Sequence, residues 1–205
     1  ENDGRRDEYL CMLQWNHMAW MESGLIEADD FYAYYYVDII EDLKKSLEGY
    51  RNNYYQWYIL AKAQVRSGKP LEALESIDNA LEITQRYIDR HGASTIKEVF
   101  KYQKRAKILK AEAYIKTGKY HESIIESNYA LENYDVENED LVNIYLNLGN
   151  AYIGLKQYGT ANMYLNKSCE MAETAYKEGT ALYLLNSYKA KKELEYIKPF
   201  LTSSD

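Results

Sequence analysis

A pattern of turn residues and small residues occurs three times in the chain and restricts its fold more than any other feature. Gly68, Gly118 and Lys156 each stand in a short polar turn between two amphipathic helical stretches. Gly68 and Gly118 lie 50 residues apart, and Gly118 and Lys156 lie 38 apart. Because an amphipathic helix pair cannot bury its apolar stripe alone, a repeat in this range indicates helix pairs stacked as a solenoid.

Small residues recur at fixed places around each turn, where two paired helices must touch. In the stretch 54–83, Ala61 precedes the turn, and Ala73 and Ala80 follow it seven residues apart. We therefore interpret these small residues as packing positions. The two later copies keep the spacing, with Ala111, Ser123 and Ala130 in one and Gly149, Ala161 and Ser168 in the other.

Helical periodicity extends beyond the three copies. A helix at about 7–23 and a second from an N-cap at Asp29 or Asp30 to about 48 form an N-terminal pair, 1–50, which reads as a degenerate or capping repeat. A polar tail, 199–205, follows Pro199. Between them, 51–198, we expect helices at 51–67, 70–90, 95–117, 120–133, 139–155 and from the turn at Lys156 to about 176, then a terminal helix at 178–196.

These segments resemble the tetratricopeptide (TPR) repeat. The copy at about 139–176 fits best, with Leu148, Gly149, Ala151 and Tyr152 before the turn, and the copy at about 54–90 fits nearly as well. The copy at about 95–133 departs at Lys107 and Lys110, where the family has large apolar residues. The resemblance implies an all-α fold, a TPR-like right-handed superhelix of antiparallel helix pairs (an α-solenoid). The repeating unit of the family has about 34 residues.

No catalytic or metal-binding motif accompanies the repeat. His17, His91 and His121 stand outside any recognised catalytic pattern, and Cys11 and Cys169 are most simply packed thiols. We therefore predict no enzyme activity and no cofactor or metal. The net charge of −7 argues against nucleic acid as a direct partner, and no window is apolar enough to insert into a membrane.

The resemblance also implies where a partner would bind. In TPR-like stacks the first helix of each pair lines the concave face, and aromatic and amide side chains suit peptide recognition. An ordinary solvated helix surface is the competing interpretation. The expected ligand-binding residues are Tyr55, Tyr58, Lys62, Arg105, Glu112, Asn143, Asn147 and Asn150, with Ile108, Leu146, Tyr183 and Asn186 along the same rows.

Three functional hypotheses follow. The first is a non-catalytic protein- or peptide-binding scaffold that uses its concave face. The second is a sensory or regulatory TPR domain of a larger signalling or transcription regulator. The third is a homodimer formed through the terminal helix, since solenoid ends need caps or partners. The sequence leaves the compartment open between a cytoplasmic protein and a trimmed extracytoplasmic domain.

Overall fold

Every regular element in the described part of the chain is an α-helix, which confirms the all-α prediction. A computed structural model describes residues 29–92, 97–177 and 182–201. The predicted helix at 7–23 and the tail at 202–205 lie outside these ranges. The eight helices within them are α1 (Asp29–Gly49), α2 (Tyr54–Arg66), α3 (Pro70–His91), α4 (Lys97–Lys116), α5 (Tyr120–Asn133), α6 (Asn138–Gly154), α7 (Tyr158–Lys177) and α8 (Leu182–Leu201).

The chain divides into two compact units, Glu1–Leu109 and Lys110–Asp205, with the division inside α4. In the first unit α2 packs against both α1 and α3. In the second unit α6 packs against α5 and α7, and α8 packs against α7 and α6. Sequence neighbours therefore pack as antiparallel pairs, as expected for helices joined by short turns.

The three turns share one backbone geometry, which confirms their alignment. Gly68, Gly118 and Lys156 have φ angles of 75°, 76° and 60°, in the left-handed region. The next residue in each turn donates its N–H five residues back, from Lys69 to Gln64 (2.8 Å), Lys119 to Tyr114 (2.8 Å) and Gln157 to Tyr152 (2.9 Å). This is the Schellman bond, which satisfies a helix-end carbonyl.

The small residues lie at the helix contacts, as predicted. Ala61, Ala73 and Ala80 are buried. Gly149 is required by close approach, since a Cβ there would lie 2.6 Å from Leu165 Cδ2. Gly154 lies directly against the ring of Tyr120. These contacts assign the residues to packing, because closely packed interiors leave no space for added atoms.

Two predicted helix ends are wrong. The N-cap expected at Asp29 or Asp30 is misplaced, because α1 already includes both residues. The terminal helix does not stop before Pro199 but continues to Leu201. Pro199 removes the bond to the carbonyl four residues back and crowds that carbonyl, which here belongs to exposed Glu195. The extra turn is held by Phe200, whose ring stacks on Tyr158 with centroids 4.5 Å apart.

Candidate functional site

In the first unit, the predicted tyrosines are packed together. The ring of Tyr102 on α4 lies 5.1 Å from that of Tyr55 and 5.6 Å from that of Tyr58. Tyr54 adds a third ring 5.7 Å from Tyr102 and also contacts Tyr87 on α3. Edge-to-face ring pairs of this kind stabilise by about 0.5–1.5 kcal/mol each. We call these five residues the tyrosine cluster.

Burial separates the members of this cluster. Tyr58 is only 7% exposed, so its ring fixes α2 against α4. Tyr55 is partly exposed, so part of its side chain lies at the surface. Tyr102, one turn before Arg105, was not among the predicted residues; the spacing of the two along α4 is the signal that could have found it. Lys62 and Arg105 are partly buried in the same unit, and each already interacts with neighbouring groups.

In the second unit, three predicted asparagines follow one another along α6. Asn143 donates its amide N–H to the Glu139 carbonyl at 3.1 Å, so it bonds along its own helix. Asn147 is buried, with 6% of its surface exposed. Asn150 is partly buried, and its Oδ1 is shielded from water without a hydrogen-bond donor among the described residues. The buried acceptor of Asn150 therefore has bonding capacity left. We call the three the asparagine row.

Glu112 is the remaining predicted residue and lies on the part of α4 that belongs to the second unit. It is partly buried and already interacts with neighbouring groups. Two residues earlier on α4, Lys110 pairs with Glu126 on α5 at 3.7 Å, with both side chains 14% exposed. Lys110, one of the two residues that depart from the family pattern, thus contributes to helix pairing here. Lys110 also lies 5.8 Å from the ring of Tyr114.

An aromatic stack fixes the pair that carries the asparagine row. The rings of Tyr152 on α6 and Tyr164 on α7 are nearly parallel, with centroids 5.6 Å apart. The ammonium group of Lys167 lies 5.6 Å from the Tyr145 ring and 5.7 Å from the Tyr164 ring, within cation–π range. Burial raises the pKa of Tyr164, with Tyr152 and Tyr145 adding to the effect. The row is therefore presented on a well-packed pair.

The reactive side chains of the described residues lack a catalytic setting. Cys169 is buried with its Sγ 3.9 Å from the Ser187 carbonyl oxygen, and burial raises the pKa of its thiol, which disfavours the nucleophilic thiolate. His121 is exposed, and the ring of His91 contacts Tyr87. No group of metal-ligating side chains forms within the described ranges. Cys11 and His17 lie outside them.

None of the helices in the three described ranges is long and apolar enough to cross a bilayer.

Comparison with known proteins supports the repeat assignment. Residues 142–175 match the model of the tetratricopeptide repeat. The matched segment covers most of α6 and α7, and includes Gly149, the Lys156 turn and Leu165. With packed antiparallel helix pairs in both units, these are the features of a TPR-like helical repeat protein, an all-α fold of the α-solenoid class. The TPR is in general a non-catalytic protein-interaction repeat. Comparison with curated proteins found no match.

Proposed function

We propose that the chain is a non-catalytic scaffold that binds a protein or peptide, with Asn143 and Asn150, the two partly exposed members of the asparagine row, as its principal contacts and the buried Asn147 as their support. The observation that carries this proposal is Asn150, whose amide oxygen is buried without a donor among the described residues. Leaving such an acceptor unsatisfied costs about 1–3 kcal/mol. A backbone N–H of an extended peptide would satisfy it after the partly exposed Asn150 side chain turns its oxygen outward, and asparagine side chains provide adaptable hydrogen bonding at binding surfaces.

The remaining expected residues are secondary contacts within their own units. Tyr55 is the aromatic candidate in the first unit, because Tyr58 is largely enclosed by the tyrosine cluster. Lys62 and Arg105 add positive charge there, and Glu112 adds negative charge in the second unit. We assign them to orientation of the partner, since partly exposed charges steer and select more than they add affinity.

The experiment selects peptides from a random library on the full chain and measures their affinity for two variants by fluorescence polarisation. Asn150→Ala should weaken binding roughly five- to tenfold, the value of one hydrogen bond. Asn166→Ala is the matched control on α7, because Asn166 is exposed and bonds within its own helix to the Asn162 carbonyl at 2.9 Å. Equal affinities for Asn150→Ala, Asn166→Ala and the parent chain would contradict the proposal.

A loss of affinity in Asn150→Ala would not result from unfolding of the variant. Asn150 Oδ1 makes no hydrogen bond with the described residues, so its removal takes no such bond from the fold. Asn166→Ala should unfold within about 0.5 kcal/mol of the parent chain, as surface substitutions do. Asn150→Ala should be at least as stable as the parent chain, because it removes an unsatisfied acceptor.

Self-association through α8 is a second proposal, favoured by the apolar surface at the end of that helix. Tyr196, Phe200 and Leu201 are 57%, 40% and 36% exposed. Contiguous exposed apolar groups commonly mark interaction sites. Sedimentation at micromolar concentration should show a dimer that Tyr196→Lys disrupts. A monomer at that concentration would contradict this proposal.

A role as the regulatory domain of a longer signalling protein is a finer form of the scaffold proposal. It would require that the binding event change the activity of an effector domain encoded by the same gene. The full-length gene tests this, because an effector domain beyond either end would support it.

A further inference from the structure

A basic pocket opens at the C-terminal end of α3, in the first unit. Its volume is about 130 Å³, enough for a carboxylate beside a small apolar side chain. The pocket is lined by positively charged groups, one amide and apolar side chains. The lining residues are Asn52, Ile83, Arg86, Tyr87, Arg90 and His91.

The positive charge of this pocket is only weakly neutralised. Arg86 has its Nε 3.8 Å from Glu82, a long contact between two exposed side chains. Arg90 is exposed and forms no ion pair with any residue in the described ranges. The nearby carboxylate of Asp89 accepts a hydrogen bond from Gln85 at 2.8 Å. Two guanidinium groups are thus available to bind an anion, and guanidinium pairs carboxylates by two parallel bonds.

Helix capping explains part of this arrangement. Cations in the last turn of a helix interact favourably with its macrodipole, and Arg90 and His91 stand in the last turn of α3. Capping does not explain why Asn52, from the segment before α2, lines the same cavity as Ile83 and Tyr87. Capping also does not explain why α3 is longer than α5, with 22 residues against 14. The pocket lies on these additional turns.

We propose that this pocket binds a peptide carboxylate that stands beside an apolar side chain. Arg86 and Arg90 pair with the carboxylate, the Asn52 amide donates to it, and the side chain lies against Ile83 and Tyr87. The peptide nature of the ligand rests on the proposed scaffold function. The site itself is separate from the asparagine row, since it belongs to the other unit.

The experiment titrates the full chain with N-acetylleucine, N-acetylleucinamide or inorganic phosphate and follows the side-chain NMR signals of Asn52 and the arginine Nε–H groups. N-acetylleucine should shift these signals saturably, and the uncharged amide should bind at least tenfold more weakly. Phosphate lacks the apolar group and should also bind more weakly. Equal binding of the amide would overturn the carboxylate assignment, and equal binding of phosphate would overturn the peptide assignment.

Two variants test the residues. Arg90→Gln should weaken N-acetylleucine binding about tenfold, as expected for one charge-assisted hydrogen bond. Lys45→Gln removes the same charge from an exposed position on α1 and should leave the affinity unchanged. A lower Tm for Arg90→Gln with unchanged affinity would assign the charge to helix capping and overturn the proposal.

Asn150→Ala separates this site from the scaffold proposal. That variant should bind N-acetylleucine as the parent chain does, because it changes only the second unit. If Asn150→Ala weakens the binding of library peptides but N-acetylleucine does not bind at all, the scaffold proposal is supported and the pocket proposal is contradicted. N-acetylleucine binding that depends on Arg90 would support the pocket whatever happens at Asn150.

Discussion

The pairs α2–α3 and α6–α7 have the same register but place their side-chain volume differently. In α2–α3 the position before the turn is Ala61, and the facing position is Ile77, both fully buried. In α6–α7 the equivalent residues are Gly149 and Leu165, and Leu165 occupies the space that a Cβ at 149 would need. A buried contact can thus be filled from either helix, provided that the total volume is kept.

The candidate binding surfaces of the two helix pairs also differ in chemistry. In α2–α3 the first helix presents tyrosines, and Tyr102 packs onto three of them. In α6–α7 the corresponding helix presents asparagines, one of which retains an unsatisfied acceptor. Aromatic rings contribute by burying area, and amides by bonding. One register therefore supports a packed aromatic cluster in one unit and a polar row in the other.

The largest expected effect on stability comes from substitution of Gly149, which contacts Leu165. Gly149→Ala should lower the free energy of unfolding by about 1–3 kcal/mol, because the new methyl group overpacks the contact with Leu165. Urea denaturation measures it. The double variant Gly149→Ala with Leu165→Ile reproduces the residues of α2–α3 and should recover part of the loss. Additive effects in the double variant would show that the two positions do not share one space.

A smaller effect is expected at the turns, which differ at one residue. Lys156 adopts a φ of 60° where the other turns have glycine, and a side chain in that region costs about 1–2 kcal/mol, partly offset by the entropy that glycine loses on folding. Lys156→Gly should therefore raise the free energy of unfolding by about 0.5 kcal/mol.

Gly68→Lys is the reciprocal change and should lower the free energy of unfolding by a similar amount, about 0.5 kcal/mol. Thermal and urea unfolding of Lys156→Gly and Gly68→Lys measure both changes in stability. A loss of stability in Lys156→Gly would mean that the lysine side chain contributes more than its backbone strain costs.

The smallest effect is expected at exposed ion pairs that flank the two helix pairs. Lys44 bonds Glu72 at 3.0 Å between α1 and α3, as Lys191 bonds Glu173 at 3.2 Å between α8 and α7. The hydrogen bond from Lys44 lowers the pKa of Glu72 below its ordinary value of 4.5. Because the folded-state pKa is lowered, the contribution is present above the ordinary value and is lost as the pH falls through the lowered one.

Glu72→Gln should thus cost only a few tenths of a kcal/mol at pH 7, about 0.3, and nothing at pH 2. High salt should reduce the difference further. Unfolding measured at both pH values checks this, and a pH-independent cost would show that the pair contributes through packing instead.

The sequence predicted the features that depend on local spacing. The helix pairs, the three turns and the packing role of Ala61, Ala73 and Ala80 follow from periodicity and from glycine and alanine positions alone. The turn at Lys156 was found without a glycine, because the residues around it keep the register. The family resemblance was confirmed independently for 142–175.

Features that depend on contacts between distant residues were missed. The burial of Tyr58 results from Tyr102, which is on a different helix and 44 residues further along the chain. The continuation of α8 through Pro199 depends on the ring of Tyr158. Arg86 and Arg90 fit an ordinary helix surface in the sequence, and only the position of Asn52 makes them part of a pocket.

The most direct test of the central claim is an NMR titration of the asparagine side chains with a library-selected peptide. We predict that the amide signals of Asn143, Asn147 and Asn150 on α6 shift as the peptide saturates the protein. The signals of Asn162 and Asn166 on α7 should remain in place, because those residues bond to each other. Shifts confined to α7, or no shift on α6 at saturation, would contradict the claim that the asparagine row binds the partner.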